Sequence, residues 1–254
     1  MSYDLLIKNG RIVDGAGNPW YGGDMGVVED RIAAIGRLSD SRARRVIDAG
    51  GLVVTPGFVD AHSHSDFSTL VYREMESTLM QGITTVVSGQ CGDSLAPVNP
   101  ELREEAQKEM NASMPPGVEV KVTWTTFDEY LREEERRGLG ANVTHMVGHG
   151  AVRVAGMGYG AGDPTPAELV RMKELVAEAM EAGAYGLSSG LIYPPGIFAK
   201  TRELVELAKV AASYGGVYDS HIRGEGRSLM KSLRATRNRG QQPIQESSRS
   251  LLRK

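Results

Sequence analysis

Apolar and polar residues alternate over short stretches in the first fifty positions, and this pattern predicts β-strands. Residues 3–8, 11–13, 25–28 and 31–35 each read as a strand, with Asn9-Gly10 as a hairpin turn signal and Glu29-Asp30 as a second turn. No 3.6-residue periodicity precedes Gly51. A small β-domain over residues 1–52 is expected.

From there the texture changes to apolar runs separated by helical spacing. Residues 52–61 form an apolar run leading into His62; helical spacing over 67–80 stops at Gly82, and 83–88, rich in β-branched residues, reads as a buried strand. Residues 93–117 make a polar excursion that contains a surface helix at 101–111 and a break at Met114-Pro115-Pro116-Gly117. A charged helix at 126–137 and a strand at 141–147 follow. The clearest helix spans 165–182. Thr165 and Glu168 form a capping box, Pro166 suits the first helical position, and Leu169, Met172, Val176 and Met180 share one face. A strand at 184–192, a helix at 201–214 and a strand at 217–222 continue the rhythm, and 228–233 begins another helix.

Strands alternating with helices in this way specify an α/β fold with a parallel sheet. Residues 53–233 supply five strand units where a closed barrel has eight. The expected architecture is therefore a partial (β/α)8 TIM-type barrel preceded by the small β-domain. Length sharpens this, because 254 residues suit one complete barrel only if none are diverted elsewhere.

With 41% hydrophobic and 24% charged residues the chain can bury a core. The net charge of −3 gives no reason to expect a nucleic-acid or membrane partner. From Lys231 onward seven basic residues face one acid, Glu246, giving +6; subtracting this from the total leaves −9 for residues 1–230. Residues 234–254 thus read as a basic, poorly ordered tail. The first residues lack a basic region followed by a long apolar core, so a cytoplasmic location is the expectation. A single cysteine, Cys91, excludes an internal disulfide.

The chemistry-bearing residues fall at predicted strand ends. His62-Ser63-His64 ends the first barrel strand, and positions i and i+2 of an extended chain point to one side, so both imidazoles can converge on one ion. Cys91, between glycines just past the 83–88 strand, is better placed as a thiolate ligand than as a core residue. His221 ends the 217–222 strand. Imidazole and thiolate donors together suit zinc. His145 and His149, four apart on a presumed strand, would lie some 13 Å apart at about 3.3 Å per residue. His149 is then a supporting residue near the mouth, and His145 a strand residue without a chemical task.

IKNGRIVDGAGNPW, TPGFVDAHSHSD, the Gly89–Gly92 turn, LSSGLIYPPG and Ser220-His221-Ile222-Arg223 together resemble the N-acyl-D-amino-acid deacylases (D-aminoacylases) of the amidohydrolase superfamily. The resemblance spans roughly residues 3–233. It implies zinc-dependent hydrolysis of N-acyl-D-amino acids to a D-amino acid and a carboxylate, by hydroxide formed on the metal. It also implies a barrel joined to a β-sandwich built from both ends of the chain. By position, Cys91 and His221 match ligands of a tightly held zinc, and Cys91, His62 and His64 match a weaker metal position. Tyr193 matches a substrate-holding tyrosine. Dihydroorotases and hydantoinases use a carbamylated lysine on the fourth barrel strand; residues 184–189 contain no lysine, leaving the cysteine as the available bridge.

The family pattern also requires a metal-binding histidine on the next strand and a catalytic aspartate late in the barrel, and neither is present. The expectation is an N-terminal fragment of such an enzyme that binds zinc weakly and turns over little substrate. Two alternatives stay open: an enzyme of dihydroorotase or hydantoinase type, and a non-catalytic chain associating through exposed sheet edges.

Overall fold

The computed structural model describes residues 2–38 and 41–240. The chain forms two compact units, Met1–Phe58 and Val59–Lys254. In the first unit, β1 (Ser2–Ile12), β2 (Tyr21–Val28), β3 (Arg31–Gly36), β4 (Arg42–Asp48) and β5 (Val53–Val54) build one sheet. Its order is β3-β2-β1-β4, with β5 also on β1. β1 runs antiparallel to β2 and parallel to β4 and β5.

Asn9-Gly10 does not turn a hairpin; it lies inside β1 as a bulge, where the register against β2 shifts between Ile7 and Gly10. Asn9 adopts φ +62°. Its amide N–H donates to Asp24 Oδ1 and its side-chain nitrogen to Asp48 Oδ1, both at 2.9 Å. Those two carboxylates hold the left-handed backbone and let the strand continue.

The second unit begins at the junction with β6 (Phe58–Asp60) and continues through α1 (Asp66–Thr69), α2 (Glu76–Leu79), β7 (Ile83–Ser88), α3 (Arg103–Ala112) and α4 (Phe127–Arg137). Then come β8 (Asn142–Gly148), α5 (His149–Met157), α6 (Pro166–Glu181), β9 (Gly186–Gly190), α7 (Thr201–Ser213), β10 (Val217–His221) and α8 (Leu229–Gly240). The sheet order is β10-β9-β8-β7-β6, five strands in sequence order, as expected of a partial barrel. Strands β7 to β10 are parallel, with Ser88 beside His145, Gly148 beside Ser188 and Gly190 beside His221. That register brings the C-terminal strand ends to one edge of the sheet, where α/β folds build their sites.

Four expectations need correction. The strand expected over 52–61 divides at Pro56-Gly57, and its first part, β5, pairs with β1 rather than with the barrel sheet. The helix expected over 67–80 is two single turns, because Met75 takes a left-handed φ of +50° between them. His149 is not on a strand; it opens α5, a helix the periodicity did not predict. The helix beginning near 228 runs on as α8 to Gly240, while the tail expected further on lies outside the described residues from 241.

Trp124, Tyr130, Val147, Met172, Val176, Leu187 and Leu207 are core residues at 0–1% exposure. Each buried side chain of this size contributes about 1.5–3 kcal/mol, so the sheet and α4 to α7 form a firm base for the loops at the strand ends. Among the described residues, no helix is long and apolar enough to cross a membrane.

Candidate metal centre

Past β6 the chain carries His62 and His64, and past β7 it turns through Gly89-Gln90-Cys91-Gly92. The donor atoms of His62, His64 and Cys91 all lie within 4.8 Å of one another. Cys91 Sγ stands 3.4 Å from His62 Nε2, and the two imidazoles meet edge to face at 5.5 Å. Both histidines are exposed, whereas Cys91 is buried. His221, at the end of β10, is not within that group of three. It packs edge to face on Tyr193, ring centroids 5.5 Å apart, and the Tyr193 hydroxyl donates to the Cys91 carbonyl at 2.6 Å.

Asp219, which sequence reasoning did not single out, lies on β10 two residues before His221. Its Oδ2 approaches His62 Nδ1 at 3.5 Å. A carboxylate on the far nitrogen of an imidazole is the usual arrangement behind a metal ligand, because it sets the ring's orientation and tautomer. Asp219 Oδ2 and His221 Nε2 are buried and make no hydrogen bond, their charged neighbours being His62 Nδ1 and Glu225 Oε1, each at 3.5 Å. Thiolate and imidazole donors, with two buried polar atoms that make no hydrogen bond, fit a bound divalent cation.

The turn carrying Cys91 is tightly held. Gln90 Nε2 donates to the Ala61 carbonyl at 3.1 Å, tying the turn to the residue before His62. Cys91 sits at φ +56°, and its neighbours Gly89 and Gly92 at +72° and +78°. A Cβ on Gly89 would stand 1.9 Å from the Met146 carbonyl oxygen, so no side chain fits there.

His145 has surroundings that sequence reading missed. Its Nε2 lies 2.5 Å from Glu134 Oε2 and its Nδ1 3.6 Å from Asp66 Oδ1. Glu134 also accepts from Thr69 Oγ1 at 2.6 Å and from the Tyr130 hydroxyl at 3.0 Å. Burial drives the imidazole down, but hydrogen bonds and charge from Asp66 and Glu134 prevail and raise it to about 9. His145 is thus a buried cation between two carboxylates, not an idle strand residue. His149 is buried too, with Nε2 2.8 Å from Glu203 Oε1; Arg153 grips the same carboxylate with contacts of 2.7 and 2.6 Å.

The Amidohydrolase family matches residues 45–217. The chain belongs to the amidohydrolase family. It is 38% identical over 237 residues to a D-aminoacylase of Alcaligenes xylosoxydans xylosoxydans, covering 92% of this chain and 47% of that protein. It is 40% identical over 223 residues to an N-acyl-D-glutamate deacylase of the same organism, covering 88% and 44%. The structure superposes at a TM-score of 0.84, with 35% identity, on an N-acyl-D-glutamate deacylase from Bordetella bronchiseptica solved with zinc and a phosphonate inhibitor that mimics the tetrahedral intermediate. That match covers 94% of this chain and 49% of the other. The chain therefore spans about half the length of the relatives it matches, and its five-stranded sheet corresponds to part of an amidohydrolase barrel.

Beside the cluster lies a cavity of about 430 Å³ bordered by Cys91 and Tyr193. Leu95, Met110 and Phe198 give it apolar walls, and Asp93 and Glu109 add carboxylates. Burial raises the Asp93 carboxyl, nearby Asp66 adds to the effect, and His64 opposes it. Burial likewise raises the Cys91 thiol; the Tyr193 hydrogen bond lowers it, and Asp219, Asp93 and Glu225 raise it further. The Tyr193 hydroxyl is pushed well up by burial and by Cys91, so it stays protonated as a donor at neutral pH.

Proposed function

We propose that this chain carries the metal-binding part of a zinc-dependent hydrolase that cleaves N-acyl-D-amino acids to a D-amino acid and a carboxylate. One observation carries the reading: His62, His64 and Cys91, from two separate strand ends, bring their donor atoms within 4.8 Å at the C-terminal edge of a parallel sheet. His62, His64, Cys91 and His221 would hold the metal, with Cys91 shared if two ions bind. Zinc, when bound, polarises the scissile carbonyl and lowers the pKa of a water it coordinates.

The chain's own groups do the rest. Asp219 would orient the His62 ring from behind, its Oδ2 standing 3.5 Å from Nδ1. Tyr193, exposed at the cavity rim, presents a protonated hydroxyl where a substrate oxygen would lie, its present partner being the Cys91 carbonyl. The cavity accepts the apolar part of an acyl-amino acid. β9, Gly186–Gly190, has no lysine to be carbamylated, which favours the cysteine-bridged deacylase over a hydantoinase-type centre.

Zinc binding and stereochemistry test the reading together. The metal-stripped protein should take up zinc and lose that uptake in Cys91→Ala, and any amide hydrolysis should consume N-acetyl-D-methionine and spare the L-enantiomer. Zinc uptake unaffected by Cys91→Ala, or preference for the L-enantiomer, overturns it.

A further inference from the structure

We infer that Ser188 on β9, together with Asp66, positions the Cys91 thiol for the metal by clamping both ends of the Gly89–Gly92 turn. The inference rests on Cys91 being a metal ligand, as proposed above. Ser188 is fully buried, and its one hydroxyl joins both ends of the turn: Oγ accepts from Gly92 N–H at 2.9 Å and donates to the Gly89 carbonyl. Asp66, 2% exposed, accepts from Gly89 N–H at 2.7 Å. The same oxygen, Oδ1, lies 3.6 Å from His145 Nδ1, and that buried cation balances this carboxylate and the one of Glu134.

The clamp matters because the turn is not a conformation the backbone adopts freely. Three of its four residues have positive φ, and Cys91, the only one with a side chain among them, carries the strain of the left-handed region. Such a conformation persists only where surrounding contacts over-determine it. Here Gly89 is held through both its N–H and its carbonyl, Gly92 through its N–H by Ser188 and its carbonyl by Gly150 N–H at 2.8 Å, and Cys91 through its carbonyl by Tyr193. Among the described residues Ser188 is the single side chain that bonds both ends of the turn, so it sets the distance between the ends and with it the direction of the Cys91 Cα–Cβ bond. Ser189, the next residue, is equally buried but bonds Tyr218 and Ser220 instead, at 2.6 and 3.0 Å, and touches no part of the turn by hydrogen bond.

Cobalt(II) titration of the metal-stripped 254-residue chain tests the clamp, because a thiolate bound to cobalt gives a near-ultraviolet charge-transfer band that folding alone does not produce. The wild type should show the band and Cys91→Ser should lose it; absence of the band from the wild type fails the ligand reading itself. Ser188→Ala should weaken cobalt binding about 10- to 100-fold and diminish the band, the size found when groups supporting a ligand are removed. Ser189→Ala should leave both unchanged while lowering thermal stability. A wild-type affinity and band in Ser188→Ala, or an equal loss in Ser189→Ala, overturns the clamp. If Ser188→Ala yields no folded protein, Asp66→Ala carries the same expectation. Failure of both to fold counts against the inference, since the contacts would then serve the fold rather than the thiol.

Discussion

His145 shows how far one residue's surroundings can depart from what its neighbours in sequence suggest. It is 3% exposed and held between Glu134 and Asp66, residues brought to it from α4 and α1, and the two carboxylates raise it from the ordinary 6.5 to about 9. A group whose pKa is raised by folding lends stability fully below its unfolded value, and that contribution drains away as pH rises through the folded value. His145 should therefore stabilise the fold by on the order of 3 kcal/mol below pH 6.5, declining toward pH 9 and beyond. In urea unfolding across this range, His145→Gln should be markedly less stable than the wild type at pH 6, with the gap closing at pH 10. A gap that stays constant with pH would show that the imidazole is neutral. Three candidate metal donors were easier to read: Cys91 is the lone thiol in a glycine turn, and His62 and His64 are two residues apart, although they lie past the end of β6 at Asp60 rather than on the strand; His221 ends a strand but stands outside that group. Asp219, Ser188 and the Asp66–His145–Glu134 chain were not legible, because each acts through a partner distant in sequence that only the tertiary fold supplies.

At the level of elements, local signals succeeded where they were self-contained. Thr165 caps α6 by accepting from Glu168 N–H, and Glu168 returns a bond to the Thr165 N–H at 2.7 Å, as the sequence spacing predicts. Thr126 and Glu129 repeat the arrangement on α4. Thr165→Ala should cost about 1 kcal/mol, a fall in Tm of roughly 2–4 °C for a chain of this size, measurable by calorimetry. An unchanged Tm would mean that packing of Met172, Val176 and Met180 alone fixes the start of the helix. The 83–88 strand was likewise legible, its β-branched run matching β7. Local signals misled where distant groups intervene. Asp24 and Asp48 convert the Asn9-Gly10 turn signal into a bulge, and the Arg73 carbonyl is drawn off to bond Gly140 N–H at 2.7 Å where the 67–80 helix breaks. α5 escaped notice because its sequence, HGAVRVAGM, carries two glycines; contact with α6 compensates, a Gly156 Cβ having no room beside Met172 Cγ at 2.6 Å.

The molecule's charge distribution bears on which acyl-amino acid the proposed site would prefer. Residues 1–230 carry −9, and the cavity beside Cys91 has Asp93 and Glu109 in its wall with no lysine or arginine among the described residues that line it. Glu109 also accepts from Tyr159 at 3.0 Å, which fixes its carboxylate against the cavity and helps push the Tyr159 hydroxyl, already raised by burial, to about 12. A substrate side chain with a second carboxylate would enter this space against like charges, without a cation to pair it. At about 4 Å such repulsion is worth about 1 kcal/mol in bulk water and several times that at a partly desolvated site, and each 1.4 kcal/mol is tenfold in affinity. The relatives include an N-acyl-D-glutamate deacylase as well as a D-aminoacylase, so the family alone does not choose. If the proposed function holds, the like charge of this cavity disfavours the acidic substrate: N-acetyl-D-methionine or N-acetyl-D-leucine should be preferred to N-acetyl-D-glutamate by about tenfold in kcat/KM at low salt, and the preference should shrink as ionic strength shortens the reach of the carboxylates. Asp93→Asn should narrow it further by improving the acidic substrate. An equal or better rate on N-acetyl-D-glutamate, unaltered by salt, would place the acidic side chain somewhere other than this cavity.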